Sequence, residues 1–259
     1  MRRFSFAQTF NLFIELSKKE YTVRYKQAVL GFSWAVVRPI LFVAAFYFVF
    51  GKVAGLQPDE NLNYFTMVYL GMMPWFLFIN IVTDGSNSML SNASMITKVY
   101  FPRILLPLSV ILVSFVDFVL MFGILLIFKE FFDVEFSLLL LFVPFLILLI
   151  MIPAVAISLI LAPLAALYRD IKFVVPFLAQ LGVYITPIGF TSTIMKDQVG
   201  ILYYLNPMVL PIEGFRSIFS GATTTNAIGI IITLIVDILL FGIALIVFNA
   251  NQDKIVDRI

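Results

Sequence analysis

Two carboxylates and three cations stand in or beside apolar sequence, where charge is costly to keep. Asp117 and Asp237 fall near the middle of long apolar runs, and an ionised aspartate at such a depth costs about 2.5 to 3.5 kcal/mol on insertion scales. Each must face protein or water, or carry a proton. A proton or cation relay is one reading; a carboxyl hydrogen-bonded across a helix interface is the other, and no Lys or Arg stands nearby in sequence to pair with either. Arg24, Lys26 and Arg38 gather at the start of the first run. Arg38, beside Pro39, can snorkel to the interface or join the other two in holding a phosphate.

Other chemistry is excluded by residue type. The Gly51-Lys52 pair lacks the spaced glycine of a P-loop, and Val53 follows where Ser or Thr would bind magnesium. Asp84 and Asp170 are too isolated to form the acidic metal site of a polyprenyl-phosphate transferase. With no cysteine and no histidine, disulfides, thiol catalysis, haem ligation and nearly every zinc site are out of reach. We expect no cofactor bound to this chain and no enzymatic activity of its own.

The elements that must position these groups are membrane helices. The chain is 62% hydrophobic and 12% charged with a mean hydropathy of +1.06, well beyond the soluble range. Apolar runs cover residues 30–54, 62–83, 104–128, 136–167, 173–190 and 227–248, each about the length a bilayer requires. The fourth is longer, and Pro144, Pro153 and Pro163 within it suit one tilted or kinked helix. The expectation is an all-α integral membrane protein of six spans in a single domain over 1–259. Residues 1–29 would form a cytoplasmic segment, 30–248 the spans and 249–259 a cytoplasmic tail.

Cations set the orientation. Arg2, Arg3, Lys18, Lys19, Arg24, Lys26, Lys98, Arg103, Arg169, Lys172, Lys254 and Arg258 fall on one side. The other has Lys52, Lys129, Lys196 and Arg216, with Glu130, Asp133 and Glu135 beside Lys129. Both termini are therefore expected in the cytoplasm. About 29 residues precede the first run without a short apolar core and cleavage site, so no cleavable signal is expected. A net charge of +2 gives nucleic acid no electrostatic footprint.

Three segments are neither span nor plain loop. Phe6, Phe10, Phe13 and Ser17 keep helical spacing, which suits an amphipathic helix at the cytoplasmic interface or one packed on the bundle. Asn92 can cap a short helix whose Met95, Ile96, Val99 and Tyr100 cluster on one side before Pro102. That patch either docks a partner or folds back on the membrane. Residues 191–226 carry two apolar pieces, 201–205 and 208–219, with Asn206 and Pro207 as a helix start and Gly221 as an end. Both are too short to cross, so they dip in and return as an external gate or lie as an interfacial loop. Finally, Phe42, Phe46 and Phe50 recur every four residues with Tyr47 beside them, and Phe173, Phe177 and Tyr184 give the fifth run a comparable face. Such rings pack against lipid or core, or line a conduit for sugar rings.

The run YTVRYKQAVLGFSWAVVRPILFVAAFYFVFGKV at 21–53 resembles the opening of the membrane subunit of the ATP-binding-cassette exporters of O-antigen, capsule and teichoic acid polymers. ITKVYFPRILLPL at 96–108, LYRDIKFVV at 167–175 and NPMVLPIEGFRSIF at 206–219 follow in order. The resemblance implies a homodimer of six-span protomers in the bacterial inner membrane, docked to two copies of a cytoplasmic ATPase that holds ATP and magnesium. A lipid-linked polysaccharide would pass between the protomers. It also implies roles: residues 94–100, with Met95, Ile96, Lys98, Val99 and Tyr100, as a coupling helix; residues 6–19 as an interface helix; residues 201–219, with Tyr203, Tyr204, Asn206, Pro207, Glu213 and Arg216, as gating helices. The aromatics Phe42, Phe46, Tyr47, Phe50, Phe173, Phe177 and Tyr184 would line the channel. Arg24, Lys26 and Arg38 would meet the pyrophosphate of a polyprenyl-linked substrate. The competing readings are a lipid or drug exporter of the same architecture and an ion-coupled secondary transporter using Asp117 and Asp237.

Overall fold

A computed structural model describes residues 5–26, 33–57, 62–135, 137–191, 199–221, 227–252 and 254–255. Arg2, Arg3, Lys196, Arg258 and the start of the first apolar run lie outside the described residues. Among the described residues the chain is helical throughout, without strands.

The central element is α3 (Tyr64–Ser91), 28 residues long and buried along nearly its whole length. Asn63 starts it: its Oδ1 accepts the Thr66 N–H at 2.8 Å, satisfying one of the donors a helix start leaves open. Helix α5 (Leu105–Ile127), α7 (Val143–Leu167), α8 (Ile171–Ile185) and α2 (Trp34–Phe46) surround it. Small residues permit the approach. At Gly85 any Cβ would run into the Ser158 side chain of α7, and at Gly71 it would lie 3.1 Å from the Ile188 backbone. Without a hydrophobic drive between helices in lipid, such close backbone packing is what holds them together.

Among the described residues, five helical runs are long and apolar enough to cross a membrane: Trp34–Val53, Tyr64–Ser91, Leu105–Ile127, Leu138–Leu167 and Ala227–Asn251. The fourth is unbroken despite its prolines, a tight 3-10 turn (Leu138–Phe142) leading straight into α7. The fifth apolar run departs from expectation. Instead of a span over 173–190, it forms the 15-residue α8, about 22 Å long, which stops at Thr186 because Pro187 disfavours helical backbone before it. Of the six expected spans, five are long enough to cross among the described residues and the fifth run forms a shorter helix.

Helix α1 (Phe6–Tyr25) runs past the expected residue 19 and packs on α5 through Leu16, Ser17 and Tyr25. Phe6 and Phe10 stay exposed, so the N-terminal half keeps a free aromatic face while the C-terminal half docks. After α5, the four-residue α6 (Lys129–Phe132) ends at Asp133 in left-handed backbone, φ 54°. Its Phe132 carbonyl accepts the Thr66 hydroxyl at 2.6 Å, tying this turn to the start of α3. The last helix, α10 (Ala227–Asn251), leans on α7 with a narrow buried stripe of Gly229, Thr233, Asp237, Ala244 and Phe248.

Candidate functional site

A cavity of about 850 Å³ opens between α2, α3, α5 and α8, with the end of α1 at its edge. Its walls bring together residues far apart in sequence: Phe42 and Phe46 from α2, and Phe177 and Tyr184 from α8. Phe46 stacks on Tyr184 with ring centroids 6.1 Å apart, and Phe42 meets Phe76 edge-on at 5.9 Å. The remaining aromatics go elsewhere. Phe50 packs beside Phe46 at 5.0 Å, Phe173 is exposed outside the lining under the Lys172 ammonium, and Tyr47 lines a separate outer concavity with Lys52, Tyr64 and Phe65. Tyr47 stands one residue past Phe46, about 100° round the helix, which turns it off the face that Phe42 and Phe46 share. From Tyr47 to Val53 the helix widens to a π-turn, with Ala54 N–H bonding to the Val49 carbonyl five residues back.

One side of the cavity carries an ion-paired cluster. Arg24 Nη1 donates to Asp117 Oδ2 at 2.7 Å, Arg24 Nη2 pairs with Asp84, and the Tyr25 hydroxyl donates to Asp117 Oδ1. Asp117 therefore has the cationic partner that its sequence neighbours could not offer: the arginine arrives from α1, 93 residues away. That geometry matches the reading of a carboxyl hydrogen-bonded across a helix interface. Burial, followed by the adjoining Asp117 carboxylate, pushes the Tyr25 phenol well above its ordinary range, so it stays a donor throughout physiological pH. Arg38 lines the same cavity from α2, whereas Lys26 is exposed and does not. Asp237 is buried in the α10 stripe, outside the cavity lining, and neither of its carboxylate oxygens finds a hydrogen-bond partner among the described residues.

The loop between α3 and α5 holds α4 (Ala93–Lys98), shorter than expected. Asn92 does not cap it: its Nδ2 donates back to the Ser88 carbonyl at 2.8 Å and its Oδ1 takes the Lys19 ammonium of α1. Because the helix ends at Lys98, the expected apolar face divides. Ile96 turns inward and is buried, Met95 is half-buried, and Val99, on extended backbone, and Tyr100, beyond the helix, are 57% and 65% exposed.

On the far side a 3-10 turn (Gly200–Leu205) buries Tyr203 and Tyr204, and α9 (Val209–Ser220) follows. The helix starts two residues later than Asn206 and Pro207 suggested, since Asn206 is extended and its Oδ1 accepts the Met208 N–H at 3.0 Å. Gly221 ends it in left-handed backbone, φ 69°, as expected. Its 12 residues reach about 18 Å and sink between α3 and α7, with Glu213 and Arg216 both buried. Arg216 holds the chain reversal after α8, donating to the carbonyls of Ile188 at 2.9 Å and Phe190 at 3.2 Å. Asn206 Nδ2 reaches Thr186 Oγ1 at 3.1 Å in the same corner.

Residues 11–220 match the ABC-2 type transporter family. The chain belongs to that family. Along 248 residues it is 28% identical to the O-antigen export system permease protein RfbA of Klebsiella pneumoniae, covering 95% of this chain and 94% of the relative. The protein of the same description from Myxococcus xanthus is 25% identical over 250 residues, covering 96% and 95%. For an ABC-2 chain, a multi-pass transport subunit in the bacterial inner membrane, the cavity is the natural candidate site. Sequence reasoning missed its polar lining, Asn80, Thr83, Asp84 and Gln180. Asn80 and Asp84 stand one turn apart on α3, a spacing that does not by itself say which side of the helix meets a cavity.

Proposed function

We propose that this chain is the membrane subunit of an ATP-driven exporter that carries a lipid-linked polysaccharide, of O-antigen type, out of the cytoplasm. The observation that carries the reading is the cavity, with sugar-compatible rings on its walls and guanidinium groups on one side. The near-full-length likeness to O-antigen export permeases supports the cargo class. The chain acts as one membrane domain in a homodimer, with both termini cytoplasmic, and two copies of a separate ATPase bind ATP and magnesium. Aromatic faces of α2 and α8 line the route between protomers. Arg24, Lys26 and Arg38 meet the substrate's pyrophosphate, and Tyr203, Tyr204, Asn206, Pro207, Glu213 and Arg216 belong to the external gate. Asp117 is held by Arg24 and Tyr25, which weighs against an ion-coupled transporter working through it.

The mechanical route follows from two contacts of one helix. Closure of the ATPase pair presses on α4; Asn92, at the start of α4, is bound to Lys19 of α1. Five residues further along α1, Arg24 grips α3 and α5 at the cavity. Movement of α4 is thereby passed to the cavity edge through a rigid helix.

Docking is tested at the exposed residues. Val99→Asp with Tyr100→Asp is expected to lower recovery of a co-purified ATPase at least ~tenfold, as loss of interface anchors does, with membrane levels of this chain unchanged. Ile96 is left intact because it is buried within the chain. Undiminished ATPase recovery from the double variant would remove the coupling role.

A further inference from the structure

Two amide side chains line the cavity without closing on the backbone of their own helices. Three other asparagines on long helices close on their own backbone: Asn87 Nδ2 donates to the Thr83 carbonyl at 3.2 Å, Asn92 to Ser88 at 2.8 Å and Asn251 to Val247 at 2.9 Å. Asn80 of α3 has the same option one turn back at Phe76. Yet neither its amide nor that of Gln180, on α8, hydrogen-bonds to any described residue. Both line the cavity, from different helices. An amide left open at membrane depth is costly unless water or a ligand meets it.

We infer that Asn80 and Gln180 form a hydroxyl-reading subsite for a sugar unit of the exported glycan. The inference rests on the proposed function and adds to it the residues that distinguish sugar from lipid carrier. Each amide offers a carbonyl acceptor and two N–H donors, the complement of neighbouring sugar hydroxyls, which both donate and accept. Phe177 and Tyr184 share α8 with Gln180 and line the same cavity, giving apolar ring faces beside the polar pair. This is how a site grips a sugar's flat face and reads its rim. Arg24 and Arg38 line the same cavity; Arg24 is paired with Asp84 and Asp117, whereas Arg38 has no ion pair among the described residues and is the guanidinium suited to a phosphate. The proposal divides the roles, with the amides assigned to the glycan and Arg38 to the headgroup.

The test compares two probes on the full chain with its partner ATPase in lipid nanodiscs. One is polyprenyl diphosphate carrying the glycan, extracted from cells that express the system; the other is the same lipid without sugar. Wild type is expected to bind the glycosylated lipid more tightly. Asn80→Leu with Gln180→Leu is expected to reduce that preference about tenfold, the size of about 1.4 kcal/mol, while bare-lipid affinity changes less than about twofold. Arg38→Gln is expected to weaken both lipids equally. A preference that survives the double leucine variant overturns the subsite and leaves the proposed function standing. Equal loss of both lipids in that variant also overturns it, since the amides would then serve fold or headgroup. A wild-type protein with no preference for glycosylated lipid overturns both.

Discussion

Arg24→Gln is expected to destabilise the protein by about 3 kcal/mol in detergent unfolding, the scale set by removing one partner of a buried ion pair. The dominant arm is the one to Asp117, whose side chain is 11% exposed. Without the guanidinium, the hydrogen-bond partner that carboxylate keeps among the described residues is the Tyr25 hydroxyl. The arm to Asp84 matters less: its side chain is 43% exposed, so solvent screens it to below about 1 kcal/mol. Asp117→Asn on top of Arg24→Gln removes the stranded charge and is expected to recover at least ~1 kcal/mol, a coupling typical of contacting residues. Asp84→Asn in the same background should recover little. Simple additivity of Arg24→Gln and Asp117→Asn, within about 0.5 kcal/mol, would show that the pair does not hold α1 to the spans. The fold consequence is local: α1 should loosen from α5 first, seen as faster amide exchange across residues 16–25.

Arg216→Met is expected to cost about 3 to 5 kcal/mol, because a guanidinium 3% exposed and bonded to the Ile188 and Phe190 carbonyls is replaced by a side chain that cannot donate. A third, longer contact at 3.4 Å reaches the Met67 carbonyl of α3, so one fork joins α9, the reversal after α8 and the start of α3. Lysine cannot substitute, since a point charge on a flexible stem does not span carbonyls in fixed directions. Arg216→Lys is therefore expected to recover less than half the loss. The readouts are yield of folded protein and protease cleavage within residues 186–191. A methionine variant within about 1 kcal/mol of wild type would mean that this reversal is held by packing alone.

What the sequence disclosed was whatever depends on hydropathy over long windows. The boundaries of α5 and α10, the unbroken fourth run and the glycine stop at Gly221 follow from apolar length and backbone preference, and they came out close to expectation. Two local effects escaped. Thr186-Pro187 cut the fifth run to a short helix, although apolarity continues to residue 190. Tyr47, one residue past Phe46, faces a separate concavity, and from it the helix widens to a π-turn that the residue pattern did not announce. Pairings between distant segments were beyond reach altogether. Nothing near Asp117 in sequence announces Arg24, and Asn92 reads as a helix cap until Lys19 is brought beside it. The cavity residues were half legible: Phe42, Phe46, Phe177, Tyr184, Arg24 and Arg38 by type and spacing, but not Asn80 and Gln180. A lone amide in an apolar run carries no sign of which side it faces.

The central claim, that this ABC-2 chain exports a lipid-linked polysaccharide on ATP hydrolysis by a separate subunit, is tested most directly in sealed vesicles. The chain is reconstituted with its co-purified ATPase, lipid-linked glycan is supplied on the ATPase side, and glycan appearing on the opposite face is measured with an impermeant probe. The account predicts translocation that requires ATP, stops when the ATPase is inactivated, and persists when a protonophore collapses any proton gradient. Translocation that continues without ATP and collapses with the gradient would contradict it.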